Sequence, residues 1–479
     1  MTHLTHRRFF KPTALALALS TAVVLAGCAS VNFDDAVGSA NQTTASFTSG
    51  KLALNRSTEQ RAAAARLATD LLSKPLMADD AVQLALANSP AVQTLLAQSW
   101  ADMSAANQAG RIANPLFTFE RFTYKSELEL GRLLSFGLLD LLTLPRRQAI
   151  AQSQMAQSQV QLSANVVEQV TQTRQAWVRA VAAGQVLQYA QQINTTAEAS
   201  AELAKRMEHV GNFNKLQRAR QQVFYADTTA QLASAQHSAL AMREELARQL
   251  GLTDAQAAQL KLPERLPDLP KAARAAELVS STATDQRLDV QLARGQLDAA
   301  GKSQGLNLLT SLIDVEIGVR RDTIFDNAEG ASYPKRGYEL GIRLPIFDWG
   351  NARRDTLNAR SLAAANRYES TVRSATSQLR QSYSAYRTAY DVARHYRDEV
   401  VPLRKTMADE NLLRYNGMLI GVFELLADTR DQVRSVVTAI DAYQQFWLAD
   451  AALSASMTGK PTNVMMAAPA AAGGEKPGH

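Results

Sequence analysis

The chain has a single cysteine, Cys28, among 479 residues, which excludes an internal disulfide and leaves stability to packing or assembly. Aromatics are few, at 6%. Over residues 146–210 proline is missing and Gly184 is the lone glycine, so long helices are predicted there. Neither sign of charge dominates: the formal net charge is +6, too weak and dispersed for a nucleic-acid partner. The histidines, His3, His6, His209, His237, His395 and His479, are scattered without HxxxH or cysteine partner spacing, so no metal site is expected. A phosphate-binding glycine loop is also lacking, which removes nucleotide-driven chemistry. Asp79-Asp80 suggests a carboxylate pair, yet it precedes a helical run and reads as an N-cap and first-turn charge. Neither an enzyme nor a cofactor is expected.

What is present starts at the N-terminus. Arg7, Arg8 and Lys11 precede an apolar run from about Ala14 to Ala26, too short to cross a bilayer as a mature helix and built like an export signal. Leu25-Ala26-Gly27-Cys28 resembles the lipobox of bacterial lipoproteins, which implies cleavage of residues 1–27 and a covalent lipid on Cys28. Ala29 in place of aspartate implies sorting to the outer membrane. Loss of Arg7, Arg8 and Lys11 lowers the net charge from +6 to about +3.

An internal repeat organises the rest. Leu144-Pro145-Arg146-Arg147 opens a long polar and alanine-rich stretch, and Leu344-Pro345 precedes Arg353-Arg354 and another. "RMEHVGNFNKLQRARQQ" (206–222) is echoed by "RYNGMLIGVFELLADTRDQ" (414–432), and each copy then runs to a glycine, Gly251 or Gly459. Two halves result, residues 75–265 and 270–460, each a helix, a β-hairpin and a long helical hairpin. Residues 28–74 form an N-terminal tether, and residues 461–479 a low-complexity tail expected to be disordered.

Leu162, Val166, Val170, Trp177 and Val181 recur at spacings of four and seven, one face of a helix that at ~1.5 Å per residue approaches ~100 Å. In the second half Tyr383, Tyr386 and Tyr390 stand three and four apart, as coiled-coil packing requires, and Pro402 is expected to kink the helix. Before each long helix the period drops to two. Ile313, Val315, Ile317 and Val319 alternate with Asp314, Glu316, Gly318 and Arg320. Tyr338, Leu340, Ile342 and Leu344 alternate with Glu339, Gly341 and Arg343. Phe117 and Phe119, then Leu128 and Leu130, repeat the pattern less regularly. Such strands suit a boundary between lipid and water; a soluble sheet with one wet face reads the same way, and the lipobox and long helices favour the membrane. Four strands per chain cannot close a barrel, and no open edge is tolerated in hydrocarbon, so the chain has to oligomerise. Eight strands leave an interior filled by side chains, so a conduit needs a larger ring.

"PLMADDAVQLALANSPAVQ" (75–93), "LPIFDWGNARR" (344–354) and the helix-turn elements around Gly211 and Tyr415 resemble the TolC-like outer-membrane factors, lipoprotein branch. The resemblance spans residues 75–460. It implies a mainly α chain with a small β part: long antiparallel coiled-coil helices forming a periplasmic tunnel, and four strands contributing to a trimeric twelve-stranded outer-membrane barrel. It also implies a homotrimer, a periplasmic adaptor, an inner-membrane efflux pump and contact with outer-membrane lipid. The predicted role is a passive exit duct for small toxic molecules or metal ions. Type I polypeptide secretion uses the same fold, and a structural periplasm-spanning coiled-coil lipoprotein is the rival of another class. Among candidate lipid-facing residues are Ile313, Val315, Ile317, Val319, Leu340 and Ile342. The family constricts its tunnel at helix tips. Tyr415 matches its tyrosine, but the usual glycine is Met418, with Gly417 one place early, and the usual aspartate is Ala427 with Asp428 next door. Tyr415, Glu424, Asp428 and Asp431 are therefore the candidate gate; as a ring of carboxylates the acids favour cations, and they read equally as solvated helix-surface charges.

Overall fold

The computed structural model describes residues 32–276, 284–310, 314–326, 328–344 and 346–461. The predicted signal sequence with Cys28, the candidate Ile313 and the predicted tail from 462 lie outside the described residues. The described part divides into two units, one holding Gln98–Gln159 and Ala293–Arg367, the other Val37–Ala97, Val160–Leu292 and the chain from Tyr368 onward.

In chain order the elements are α1 (Phe33–Thr43), α2 (Thr58–Leu72), α3 (Ala78–Asn88), α4 (Pro90–Ala109), β1 (Leu116–Tyr124), β2 (Glu127–Gly137), α5 (Leu138–Leu142), α6 (Leu144–His209), α7 (Lys215–Leu250) and α8 (Asp254–Gln259). A 3₁₀ turn at Thr284–Gln286 precedes α9 (Leu288–Thr310), β3 (Asp314–Asp326), β4 (Ala331–Arg343), α10 (Asn351–His395), α11 (Val401–Asn416) and α12 (Val422–Thr458). The predicted architecture, long helices with four strands per chain, is what the structure has.

α6 runs for 66 residues with Pro145 in its first turn, where the missing N–H costs nothing. Leu162, Val166, Val170, Trp177 and Val181 are all buried, the face the spacing predicts. Trp177 satisfies its indole N–H on the Leu76 carbonyl, 2.8 Å away, within a cluster that includes Leu72, Leu84, Leu250 and Leu448. In the second half Tyr386 and Tyr390 are 1% exposed and pack on Phe446, with ring centroids 5.6 and 5.7 Å away. Their hydroxyls are not left dry. Tyr386 accepts from the Arg274 amide and Tyr390 donates to the Pro270 carbonyl.

Three expectations are corrected. The helix after Asn351 is not simply kinked at Pro402: a π turn at Tyr396–Val400 stands just before it, and Pro402 enters α11 in its first turn. A proline ring displaces the carbonyl four residues upstream, and one wider turn removes that clash. The cap of α3 is Met77, without a side-chain cap bond, so Asp79 and Asp80 are first-turn charges only. Asp79 accepts from Ser49 and lies 3.7 Å from Arg174. The third concerns the second hairpin, whose strands run thirteen residues each, well beyond the stretches at 312–320 and 338–344 where apolar alternation is evident. Within residues 28–74 the described part contains α1 and α2, and its Asn55 amide donates to Gln93 of α4.

Candidate functional site

The sheet comes first. Its strands pair in the order β1-β2-β3-β4, all neighbours antiparallel. Directly paired residues share a face. Phe117 pairs Leu134, Leu134 pairs Val319 and Val319 pairs Tyr338, giving one apolar row across four strands. The rows below are Phe136, Ile317 and Leu340, then Val315 with Ile342. The described members of the predicted lipid-facing set therefore share one face with β1 and β2. That face is bare: Val319 is 56% exposed and Leu340 63%. So large an apolar patch marks a surface that meets something other than water.

The opposite face is charged and internally compensated. Arg320 lies 2.6 Å from Glu120, 2.9 Å from Asp322 and 3.7 Å from Glu339. Lys335 reaches Glu129 at 3.3 Å, and Ser135 donates to Glu316 at 2.5 Å. Asp322 is 1% exposed, which is tolerable for a carboxylate only with such partners. Sequence reasoning missed this network because its members come from hairpins some two hundred residues apart.

The second candidate is the turn between α11 and α12. Its counterpart between α6 and α7 closes in the same way. Gly211, at φ 83°, donates to Glu208, and Asn212 donates to Met207. In the second turn Met418, at φ 60°, donates to Tyr415, and Leu419 donates to Arg414. Glycine is thus absent from the position that needs it: Gly417 has an ordinary φ of −80° and the left-handed residue is Met418. The first turn also carries a full capping box, Asn214 with Gln217, whereas Gly421 offers α12 no side-chain cap. Both differences weaken the second turn relative to the first. Met418→Gly is expected to stabilise it by about 1 kcal/mol, read as slower amide hydrogen exchange over residues 413–424. Unchanged exchange would mean the turn is not strained.

Tyr415 stands in the last turn of α11 and is 39% exposed. Glu424, Asp428 and Asp431 sit on one face of α12 by their spacing of four and three. Glu424 is exposed in the first turn. Asp431 is exposed, 3.7 Å from Arg404 of α11. Asp428 is half-buried, and one carboxylate oxygen is enclosed without a hydrogen-bond partner. Gln221, at the matching place in α7, also encloses an unpartnered oxygen. Arg430 lays its guanidinium over Phe224 of α7, 3.9 Å from the ring centroid, a cation–π contact joining the two helical hairpins. Burial holds Arg430 below its ordinary pKa, with Asp227 pulling the other way. Sequence analysis did not single out Arg404, Arg430 or Phe224, since their roles depend on which helices become neighbours. Among the described residues no cluster of three or more His, Cys, Asp or Glu is placed to hold a metal ion, and no helix is long and apolar enough to cross a membrane.

A four-stranded antiparallel sheet with one bare apolar face, in a chain whose helices reach this length, is the fold of TolC-like channels. Residues 279–408 match the outer membrane efflux protein family. The Vibrio cholerae outer membrane protein VceC is similar at 16% identity and TM-score 0.64, covering 85% of this chain and 99% of its own. The Campylobacter jejuni CmeC outer membrane channel is 13% identical, TM-score 0.64, with 84% and 86% covered. The Neisseria gonorrhoeae MtrE outer membrane channel is 18% identical, TM-score 0.63, with 80% and 89% covered. No curated protein sequence matches the chain. The resemblance to the TolC-like outer-membrane factors is borne out: the chain carries an outer membrane efflux protein domain on the fold of TolC-family channels.

Proposed function

We propose that this chain is the outer-membrane channel of a tripartite efflux system, a passive exit duct across periplasm and outer membrane for small toxic molecules or metal ions. The observation that carries the reading is the four-stranded sheet with one bare apolar face, a charged opposite face and two unpaired edges, β1 and β4. Hydrocarbon tolerates no such edge. Pairing β4 of one copy with β1 of the next closes a ring, and three copies give twelve strands, wide enough to conduct where eight would be plugged. The charged face then lines the lumen and the apolar face meets lipid. Homotrimer, periplasmic adaptor and inner-membrane pump follow as partners, the energy coming from the pump. A lipid on Cys28 adds an outer-membrane anchor, and Tyr415, Glu424, Asp428 and Asp431 are the gate. Carboxylates repeated in each copy around a narrow opening favour cations over anions.

Planar-bilayer conductance of the purified protein, with its mass in detergent, tests this. A trimer with small, cation-favouring openings is expected, and Asp428→Ala together with Tyr415→Ala should widen them. A monodisperse trimer that inserts and conducts but ignores both substitutions moves the gate elsewhere. A protein that never inserts removes the channel reading.

A further inference from the structure

The apolar face of the sheet is not apolar along its whole height. Above the row of Phe117, Leu134, Val319 and Tyr338, the register pairs Phe119 with Arg132, Arg132 with Arg321 and Arg321 with Arg336. Three arginines stand side by side across three adjacent strands. Arg121 follows on β1, one row nearer the hairpin ends. Cross-strand partners hold their Cβ atoms about 5 Å apart, and like charges directly opposite repel. On this face the described strand residues include no aspartate or glutamate. Arg121, Arg321 and Arg336 are exposed and Arg132 is half-buried, and among the described residues none of the four has a carboxylate partner. The other face shows the contrast, since Arg320 and Lys335 are both matched by acids there. The arginine row is a line of positive charge built without its counter-charge.

Its height says what supplies that charge. Below it the apolar rows continue through Leu340, Ile342 and Leu344 to the exposed Ile346, Phe347 and Trp349. From Arg336 to Leu344 a strand rising about 3.4 Å per residue and tilted by about 40° climbs about 20 Å, and the residues beyond Leu344 bring the band to about the 25 Å of a barrel's lipid-facing belt. The arginines therefore stand at the headgroup level of the leaflet nearer the hairpin ends, where a charge costs little, and not in hydrocarbon. Guanidinium forks bind phosphate bidentately, which a lysine row would not.

Resting on the reading of this face as lipid-facing, we propose that Arg132, Arg321 and Arg336, extended by Arg121, bind the phosphate groups of phosphorylated membrane lipids in the outer leaflet. Each copy of the chain contributes one such row, so the assembled barrel carries a girdle of phosphate sites. Bound phosphate removes the repulsion within the row and fixes the depth of the barrel in the membrane.

The test uses the full-length protein in a neutral detergent, titrated with bis-phosphorylated lipid A and with the same lipid after removal of its phosphates. Wild type is expected to prefer the phosphorylated lipid by about tenfold or more, and high salt should reduce that preference. The triple variant Arg132→Gln, Arg321→Gln, Arg336→Gln should lose it. Inorganic phosphate at equal concentration should not compete, because depth as well as charge selects the ligand; full competition would make this an adventitious anion site and overturn the lipid proposal. Equal binding of both lipids by wild type overturns it too, and needs no variant to fold. Membrane insertion of wild type is measured in parallel. Insertion without phosphate preference defeats this proposal alone, while failure to insert defeats the barrel reading beneath it.

Discussion

A Gly251→Val variant is expected to lose about 3–5 kcal/mol of stability. Gly251 ends α7 in the left-handed region, at φ 66°, with its amide donating to the Ala247 and Arg248 carbonyls. A Cβ there would stand 2.4 Å from Pro90 Cδ and 2.6 Å from Ser89 Cα, backbone-bound atoms that cannot swing aside. Asn88 locks the same junction by donating to the Leu250 and Gly251 carbonyls at 3.3 and 3.0 Å. The second half repeats the arrangement: Gly459 ends α12 at φ 93°, and a Cβ would lie 2.6 Å from the Leu288 amide and 2.9 Å from Arg287 Cβ. In both halves the second long helix of the helical hairpin, α7 or α12, is docked through its terminal glycine on the start of the helix that precedes that half's first strand, α4 or α9. Valine adds left-handed strain to overpacking, and neither can relax without moving a helix end. Gly184→Ala is the control, because its Cβ would meet nothing within 4 Å and a helix interior gains up to about 1 kcal/mol from the change. Thermal melts by circular dichroism at one scan rate separate the two. A Gly251→Val protein melting with wild type would contradict the close approach.

Placing arginine at Ile342 is expected to abolish membrane assembly, while arginine at the preceding Gly341 is tolerated. The two residues are neighbours in the chain and face opposite ways. Ile342 pairs with Val315 on the bare face, and a charge there costs about 2–4 kcal/mol near the bilayer midplane, repeated in every copy. Gly341 pairs with Glu316, and an added Cβ makes ordinary contact at 3.6 Å with the Glu316 side chain, so the arginine gains a carboxylate. Ile317→Arg should behave like Ile342→Arg, since Ile317 shares the face and pairs with Leu340. The readout is the amount of folded, protease-resistant protein in the outer-membrane fraction. Equal assembly of Ile342→Arg and Gly341→Arg would mean that neither face meets lipid, and a soluble sheet would take the barrel's place.

Much of this architecture was legible from periodicity alone. The buried face of α6 and the packing of Tyr386 and Tyr390 against Phe446 follow from spacings near 3.6, because a helix that long must find a partner for its apolar stripe. The alternation at Val315, Ile317 and Val319 announces a strand with two unlike faces, because the side-chain period of a strand is two. Turn chemistry was partly legible: the displacement of Gly417 against Met418 is visible as a mismatch, but which residue takes the positive φ depends on where α11 frays and which carbonyls close the turn.

Pattern carries local geometry, and that is where its reach ends. The ends of β3 and β4 were missed because Arg321, Thr323, Pro334 and Arg336 break the apolar alternation while the hydrogen-bond ladder continues. Pairing of β2 with β3 joins hairpins far apart in the chain, and only that register aligns Arg132 with Arg321, or brings Glu120 to Arg320. The contact of Arg430 with Phe224 likewise exists only once α7 and α12 lie together. Residue spacing along the chain sets which face a side chain occupies, since backbone geometry imposes that locally. Which faces meet, and which charges end as partners or as unmatched neighbours, was settled by long-range pairing, whose energy belongs to two segments at once and is written in neither.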